Sequence, residues 1–267
     1  MPGARGTRCA ARGLAVTHAA PFPPPGRPVI EPLLAKLGCY DRIGETEARA
    51  LAGLIDSEAR LERGTIFVRA GERLERSTLL LDGFVVRYKE LLDGRRQTLE
   101  LSVPGDFVDL HSFTLKRIDH DIACLTPCRL AYAPHARIAE LTARFPHLTR
   151  VLWLSTSIDA AIHRERIVSL GARTAVERLA HLCCETYLRL RGVGLAEDDA
   201  FAFPLTQGDV AELLGLSMVH TNRTVRELRE RGLARVGRGA VRIDDWDGLR
   251  RLGQFDAGYL GQHREPR

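Results

Sequence analysis

The 267-residue chain is 45% apolar and 27% charged, which allows a sizeable core and excludes a mostly disordered chain. Its length suggests two domains. It carries 39 basic against 34 acidic side chains, and only Lys36, Lys89 and Lys116 are lysine, so the net +5 is an arginine charge. That surplus allows an anionic partner without naming one, because an arginine-rich codon habit gives the same total.

Residues 1–28, rich in Arg, Pro, Gly and Ala, read as a disordered tail or an over-called start, with a transit peptide as the weaker alternative. No apolar run approaches the roughly 18–20 residues that span a bilayer. Gly13–Leu14–Ala15–Val16 is too short for a signal-peptide core. The expected compartment is the cytoplasm, with no membrane partner.

Residues 29–146 are predicted to form a small β-roll. A helical cap, Ile43 to Glu58, comes first. Short β runs follow at Thr65–Val68, Leu79–Leu81, Phe84–Val86 and Leu99–Leu101, punctuated by Gly71, Gly83, Gly94 and Gly105. Asp82–Gly83 and Asp93–Gly94 are hairpin dipeptides, since glycine takes positive φ at no steric cost. Strands this short and regular predict an antiparallel jelly roll, either purely structural or wide enough for one small ligand. Ile122, Cys124, Thr126, Cys128, Leu130 and Tyr132 fall on one face of what reads as a single strand. On a straight strand Cys124 and Cys128 would lie about 13 Å apart, too far for a disulfide or a shared metal. Cys9 and Cys39 are isolated, and Cys183 sits on an apolar helical stripe beside Cys184. All six cysteines are expected to be reduced thiols, and no metal site is expected.

Pro134 and Pro146 bracket a short helix, Ala136 to Arg144. No Pro or Gly then interrupts the chain until Gly171, which predicts one long helix over 147–171. Val151, Leu154, Ile158, Ala161 and Val168 trace a narrow stripe at near-3.5 spacing, the pattern of a helix pairing with its twin. Leu152, Trp153 and Ile162 would otherwise add a second apolar face to hide. Packing on its own domain alone is the plainer alternative.

Residues 172–246 are predicted to form a winged helix-turn-helix domain, with 247–267 as a C-terminal tail. Thr206 and Asp209 have the spacing of a helix N-cap, and Val210, Leu213 and Leu214 make an apolar face. Gly215 ends the first helix, Leu216 plugs the turn and Ser217 caps the second, which Val225 and Leu228 anchor. Arg235 to Ile243 reads as a hairpin wing. Residues 221–242 hold seven arginines (Arg223, Arg226, Arg229, Arg231, Arg235, Arg238, Arg242) against Glu227 and Glu230, a local +5 that equals the whole surplus. Such a cluster supplies sequence-independent attraction to phosphates.

The order β-roll, long helix, winged helix-turn-helix resembles the CRP/FNR family of bacterial transcription regulators. The marks are Leu205-Thr-Gln, Val210-Ala-Glu-Leu-Leu-Gly-Leu-Ser and Asn222-Arg223, with Gly83, Gly94 and Pro104–Gly105–Asp106 in the roll. The resemblance implies an α+β protein with a cyclic-nucleotide-binding-like roll. It implies a homodimer on double-stranded DNA, with a two-fold operator whose half-sites lie one helical turn apart. It also implies contact with RNA polymerase. The DNA-facing set it implies is Gln207, Ser217, Met218, Val219, His220, Thr221, Asn222, Arg223, Arg226 and Arg238. Arg223 is suited to guanine and Asn222 to adenine, while Val219 stands where relatives carry a base-reading glutamate. The methyls of Thr221 and Thr224 are expected to pack, with their hydroxyls facing inward or to the backbone.

The effector pocket of such relatives maps to Gly105, Asp106, His120, Asp121 and His163. Relatives that bind cyclic AMP carry Arg-Ser near His120–Asp121; here an acid replaces the serine and no arginine is at hand. Cyclic AMP is therefore not expected. Cys9 and Cys39 do not make the cysteine cluster of the iron–sulfur members. His111, His120 and His163 are conceivable heme ligands, but no cofactor is expected. What remains resembles FixK-like members. The alternative is a small-molecule or redox receptor of the same fold whose signal gates DNA binding, with Cys183 or Cys184 as the thiol. No phosphate-binding Gly-Lys-Ser/Thr loop, Gly-x-Ser-x-Gly elbow or His-Glu-x-x-His motif is present, so an enzyme is not expected.

Overall fold

Aspartate–glycine turns cut the front half into strands that close as a roll. The structure, a computed structural model, describes residues 30–264 and 266; the predicted tail 1–28 and Cys9 lie outside the described residues. Two short helices, α1 (Glu31–Gly38) and α2 (Glu45–Ala52), lead into β1 (Ser57–Leu61), β2 (Ile66–Val68), β3 (Arg76–Asp82), β4 (Val85–Glu90) and β5 (Arg96–Ser102). A helical turn α3 (Ser112–Leu115) precedes β6 (Asp121–Cys124) and β7 (Cys128–Pro134). The strands pair antiparallel in two sheets, ordered β1-β7-β3 and β2-β6-β4-β5. Gly83 has φ +92°, and a Cβ there would meet the Pro127 carbonyl oxygen at 2.6 Å, so only glycine closes that turn.

Two expectations change in the roll. The helical cap is α1 plus α2, and Ser57–Glu58 belong to β1, because pairing with β7 (Ser57 opposite Tyr132) overrides the local pattern. The run Ile122–Tyr132 is not one strand. Leu125–Pro127 turn the chain from one sheet to the other, with the Phe84 amide donating to Thr126 Oγ1 at 2.8 Å. Cys124 and Cys128 therefore share one small core with Val85 and Leu130 instead of lying apart along a strand. Cys39, Cys124, Cys128, Cys183 and Cys184 are free thiols.

Helix α4 (His135–Arg144) hands over at Phe145 to α5 (Pro146–Ala172), 27 residues and about 40 Å long. It extends one residue beyond each predicted end. The predicted pairing stripe is corrected: Val151, Ile158 and Ala161 are buried in this chain's own core, Leu154 is half-buried against it, and of the five only Val168 stays exposed. The face left in solvent lies roughly a third of a turn away. It carries Trp153, Ser157, Ala160, Arg164, Ile167 and Gly171, with Trp153 71% and Ile167 69% exposed.

Thr174 and Glu177 form a capping box that starts α6 (Ala175–Gly192). Then come β8 (Ala196–Glu197), β9 (Ala200–Ala202), α7 (Gln207–Leu214), α8 (Met218–Glu230), β10 (Ala234–Gly237), β11 (Ala240–Ile243) and α9 (Trp246–Leu252). The small sheet has the order β10-β11-β9-β8. The predicted tail 247–267 is mostly packed structure. Asp245 caps α9, and a 3-10 turn, Ala257–Leu260, follows. Leu249, Phe255 and Leu260 are buried, with His181 of α6 against the Phe255 and Tyr259 rings, because the body of the domain leaves an apolar bed for them.

Leu79, Phe84 and Leu101 of the roll, Val151 and Ile158 of α5, and Leu179, Phe203 and Leu213 of the C-terminal part belong to one continuous core. Phe84 meets Phe203 edge-to-face at 5.9 Å. Arg63 of the roll reaches both Asp209 carboxylate oxygens of α7, at 2.7 and 2.8 Å. Among the described residues no helix is long and apolar enough to cross a membrane.

Candidate DNA interface

The helix-turn-helix follows from four local choices. Thr206 caps α7: its Oγ1 accepts from the Asp209 amide at 3.2 Å, and Asp209 accepts from the Thr206 amide at 2.6 Å. Val210, Leu213 and Leu214 bury the inner face. Gly215 ends α7 in the left-handed region at φ +64°, as helix C-caps favour. Ser217 Oγ then accepts from the His220 amide at 3.3 Å and starts α8. Leu228 pins α8 to the core.

This anchoring decides which side chains face out. Met218 and Val219 are 55% and 74% exposed, and Ser217, His220, Asn222, Arg223 and Arg226 are exposed beside them. Gln207 is exposed at the start of α7. Thr221 is the exception among the expected DNA-facing residues: it is fully buried, and its hydroxyl donates to the Ser217 carbonyl at 3.0 Å. It is a packing residue of α8, not part of the exposed face. Thr224 is buried in the same way, donating to the His220 carbonyl at 2.9 Å. Arg238 stands at the wing tip with φ +54° between two glycines.

The charge cluster is thinner than the sequence count. Arg231 pairs with Glu227 at 2.6 Å and Arg226 with Glu230 at 3.7 Å. Asp244, just outside the counted window, takes Arg235 at 2.5 Å and Arg242 at 3.9 Å. Among the described residues Arg223, Arg229 and Arg238 keep no intrachain acidic partner. Asp244 was invisible in the count because it joins the wing only once β11 folds back on β10.

The expected effector residues do not meet in one cavity. Gly105 lies against the Pro32 backbone of α1. Asp106 points at α1 and α6, bonding Lys36 at 2.7 Å and Arg189 at 2.6 Å. Burial opposes its charge, but those two cations hold its carboxyl below the usual range. The gap beside it, between Lys36, Tyr40, Ile162 and Arg189, is about 20 Å³, room for one water. Asp121 accepts the Ala70 amide at 2.7 Å on the rim. His163 sits 3.0 Å from Glu100. His120 packs against His111 with ring centres 5.4 Å apart, and burial, helped by the Arg87 charge, pushes His111 down to about 3.

An arginine is at hand after all. Arg87 of β4 lies inside the roll, but its guanidinium is taken by Glu100 at 2.9 Å, the Phe107 carbonyl at 3.2 Å and Asp159 of α5 at 3.3 Å. Its place on β4, 33 residues upstream of His120, hid it from the sequence. With this arginine and Asp106 both committed, the residues present do not fit a cyclic phosphate. No trio of His, Cys, Asp or Glu among the described residues is placed to hold a metal. Cys183 and Cys184 are buried, and burial pushes the Cys183 thiol up to about 12.

Comparison with known proteins agrees with this architecture. Residues 58–145 match the cyclic nucleotide-binding domain family, and residues 177–252 match the Crp-like helix-turn-helix domain family. The chain is 30% identical over 170 residues to the nitrogen fixation regulation protein FixK of Bradyrhizobium diazoefficiens, covering 62% of this chain and 69% of that one. It is 26% identical over 213 residues to the transcriptional activator FnrL of Cereibacter sphaeroides, covering 74% and 85%. The structure of FixK2 from Bradyrhizobium japonicum superposes with a TM-score of 0.67 at 22% identity, covering 76% of this chain and all of that one. The roll, the long helix, the exposed α8 and these matches agree: the chain belongs to the CRP/FNR family of DNA-binding transcription regulators.

Proposed function

We propose that this regulator works in the cytoplasm as a homodimer, reads a two-fold operator with α8 and acts on transcription through RNA polymerase. The observation that carries the DNA reading is the exposed face of α8, where Arg223 stands without an intrachain acidic partner beside exposed Asn222, His220 and Val219. Arg223 is assigned to guanine, Asn222 to adenine, and Val219 to a thymine methyl. Gln207, Ser217 and Met218 flank this face, Arg226 and Arg238 serve the phosphates, and Thr221 plays no direct part. Dimerisation is assigned to the outer face of α5. Its residues at 153, 157, 160, 164, 167 and 171 repeat with the 4–3 spacing of a coiled-coil seam, and a second copy carries the matching seam.

The protein is further proposed to bind DNA without a cyclic nucleotide, because Asp106 and Arg87 are spent on contacts within the chain. Among the described residues nothing activates Cys183 or Cys184 as a redox thiol, since burial raises both. A mobility-shift assay on selected operator fragments tests the reading. Arg223→Ala should cost roughly 1–3 kcal/mol on the operator and relax one base position. Arg238→Ala should weaken all sequences alike and lower the salt slope by about one. Equal losses on operator and random DNA for both variants would remove Arg223 as a base reader.

A further inference from the structure

We propose that Arg164 sets the strength of self-association, acting as a like-charge gate in the middle of the α5 seam. The inference rests on the dimer reading above. In a parallel two-fold seam each position faces its own copy, so Arg164 meets the partner subunit's Arg164 between the small Ala160 and the apolar Ile167. Helix α5 carries two acids, and both are engaged. Asp159 is turned inward onto Arg87 at 3.3 Å, and Glu165 holds Arg173 at 2.9 Å. Neither helix therefore offers a free carboxylate to the opposing guanidinium. Trp153 and Ile167, both mostly exposed in the single chain, favour pairing, while the two arginines oppose it.

Charges opposed across a partly wet seam are screened within about a Debye length, roughly 10 Å at 0.1 M salt. Raising ionic strength should thus tighten the dimer, whereas it loosens phosphate contacts with DNA. The two effects oppose each other, so dimer supply and DNA grip respond to salt in opposite directions.

Sedimentation equilibrium on the full chain tests this. The wild-type dimer dissociation constant should fall about tenfold between 50 and 500 mM sodium chloride. Arg164→Ala should dimerise about tenfold tighter than wild type at 50 mM and lose most of the salt response. Arg164→Lys, which keeps the charge, should track wild type. The side chain is solvent-exposed, so thermal melts of both variants should match wild type at concentrations dilute enough to keep each chain monomeric. If Arg164→Ala weakens association, or leaves the salt response intact, the gate is wrong and the seam stands. If neither wild type nor Arg164→Ala associates at any salt concentration, the dimer reading falls with it.

Discussion

At the scale of single residues, burial decides roles that residue type leaves open. Thr221 lies one position from Asn222, yet its hydroxyl serves the Ser217 carbonyl while Asn222 faces solvent. Asp109 makes the same point for charge. It is buried, accepting from the Thr78 amide and the Thr78 hydroxyl, and burial pushes its carboxyl up to about 6, with those bonds opposing the shift. Its folded value lies above its unfolded value, so the folded state holds an extra proton between about pH 4 and 6. The associated stability is complete at low pH and lost as pH rises through 6, on the order of 3 kcal/mol for this group. Urea titrations of wild type and Asp109→Asn at pH 4, 5, 6 and 7 should show the wild-type advantage shrinking up to pH 6 and flat above. A constant difference would refute the buried-acid assignment.

At the scale of elements, caps and turns hold the reading head together. Gly215 has positive φ, and a Cβ there would lie 3.1 Å from Leu170 Cδ2 of α5. Gly215→Ala should therefore cost about 1–2 kcal/mol through backbone strain and crowding, seen as a lower melting temperature with weakened operator binding. The sequence made this element legible because capping residues act within three or four positions of themselves. The long helix was equally legible in extent, since an absence of Pro and Gly is a local property. Its faces were not. Both sides of α5 are apolar, and only the packing of the roll and of the 3-10 turn (Ala257–Leu260) tells the core stripe from the outer one.

At the scale of the whole molecule, the roll and the DNA-binding part share one core and a buried ionic network. Asp106 joins Lys36 to Arg189, and Arg189 also donates to the Leu101 carbonyl at 2.8 Å. Removing one member of such a buried set strands the others, so Asp106→Ala should cost about 3–5 kcal/mol. Calorimetry should show one cooperative transition shifted as a unit; two separated transitions would mean that the domains are energetically independent. The sequence by itself determined the order of elements, the helix-turn-helix with its caps, the wing and the family, because all of these rest on local spacing. Only the tertiary structure decided that Asp106 fastens α6 to the roll, that Arg87 is spent inside it, that Asp244 quiets the wing arginines and that α5 turns Trp153 and Arg164 outward. Those are pairings between segments far apart in sequence, and which charges and faces meet is fixed only when the chain packs.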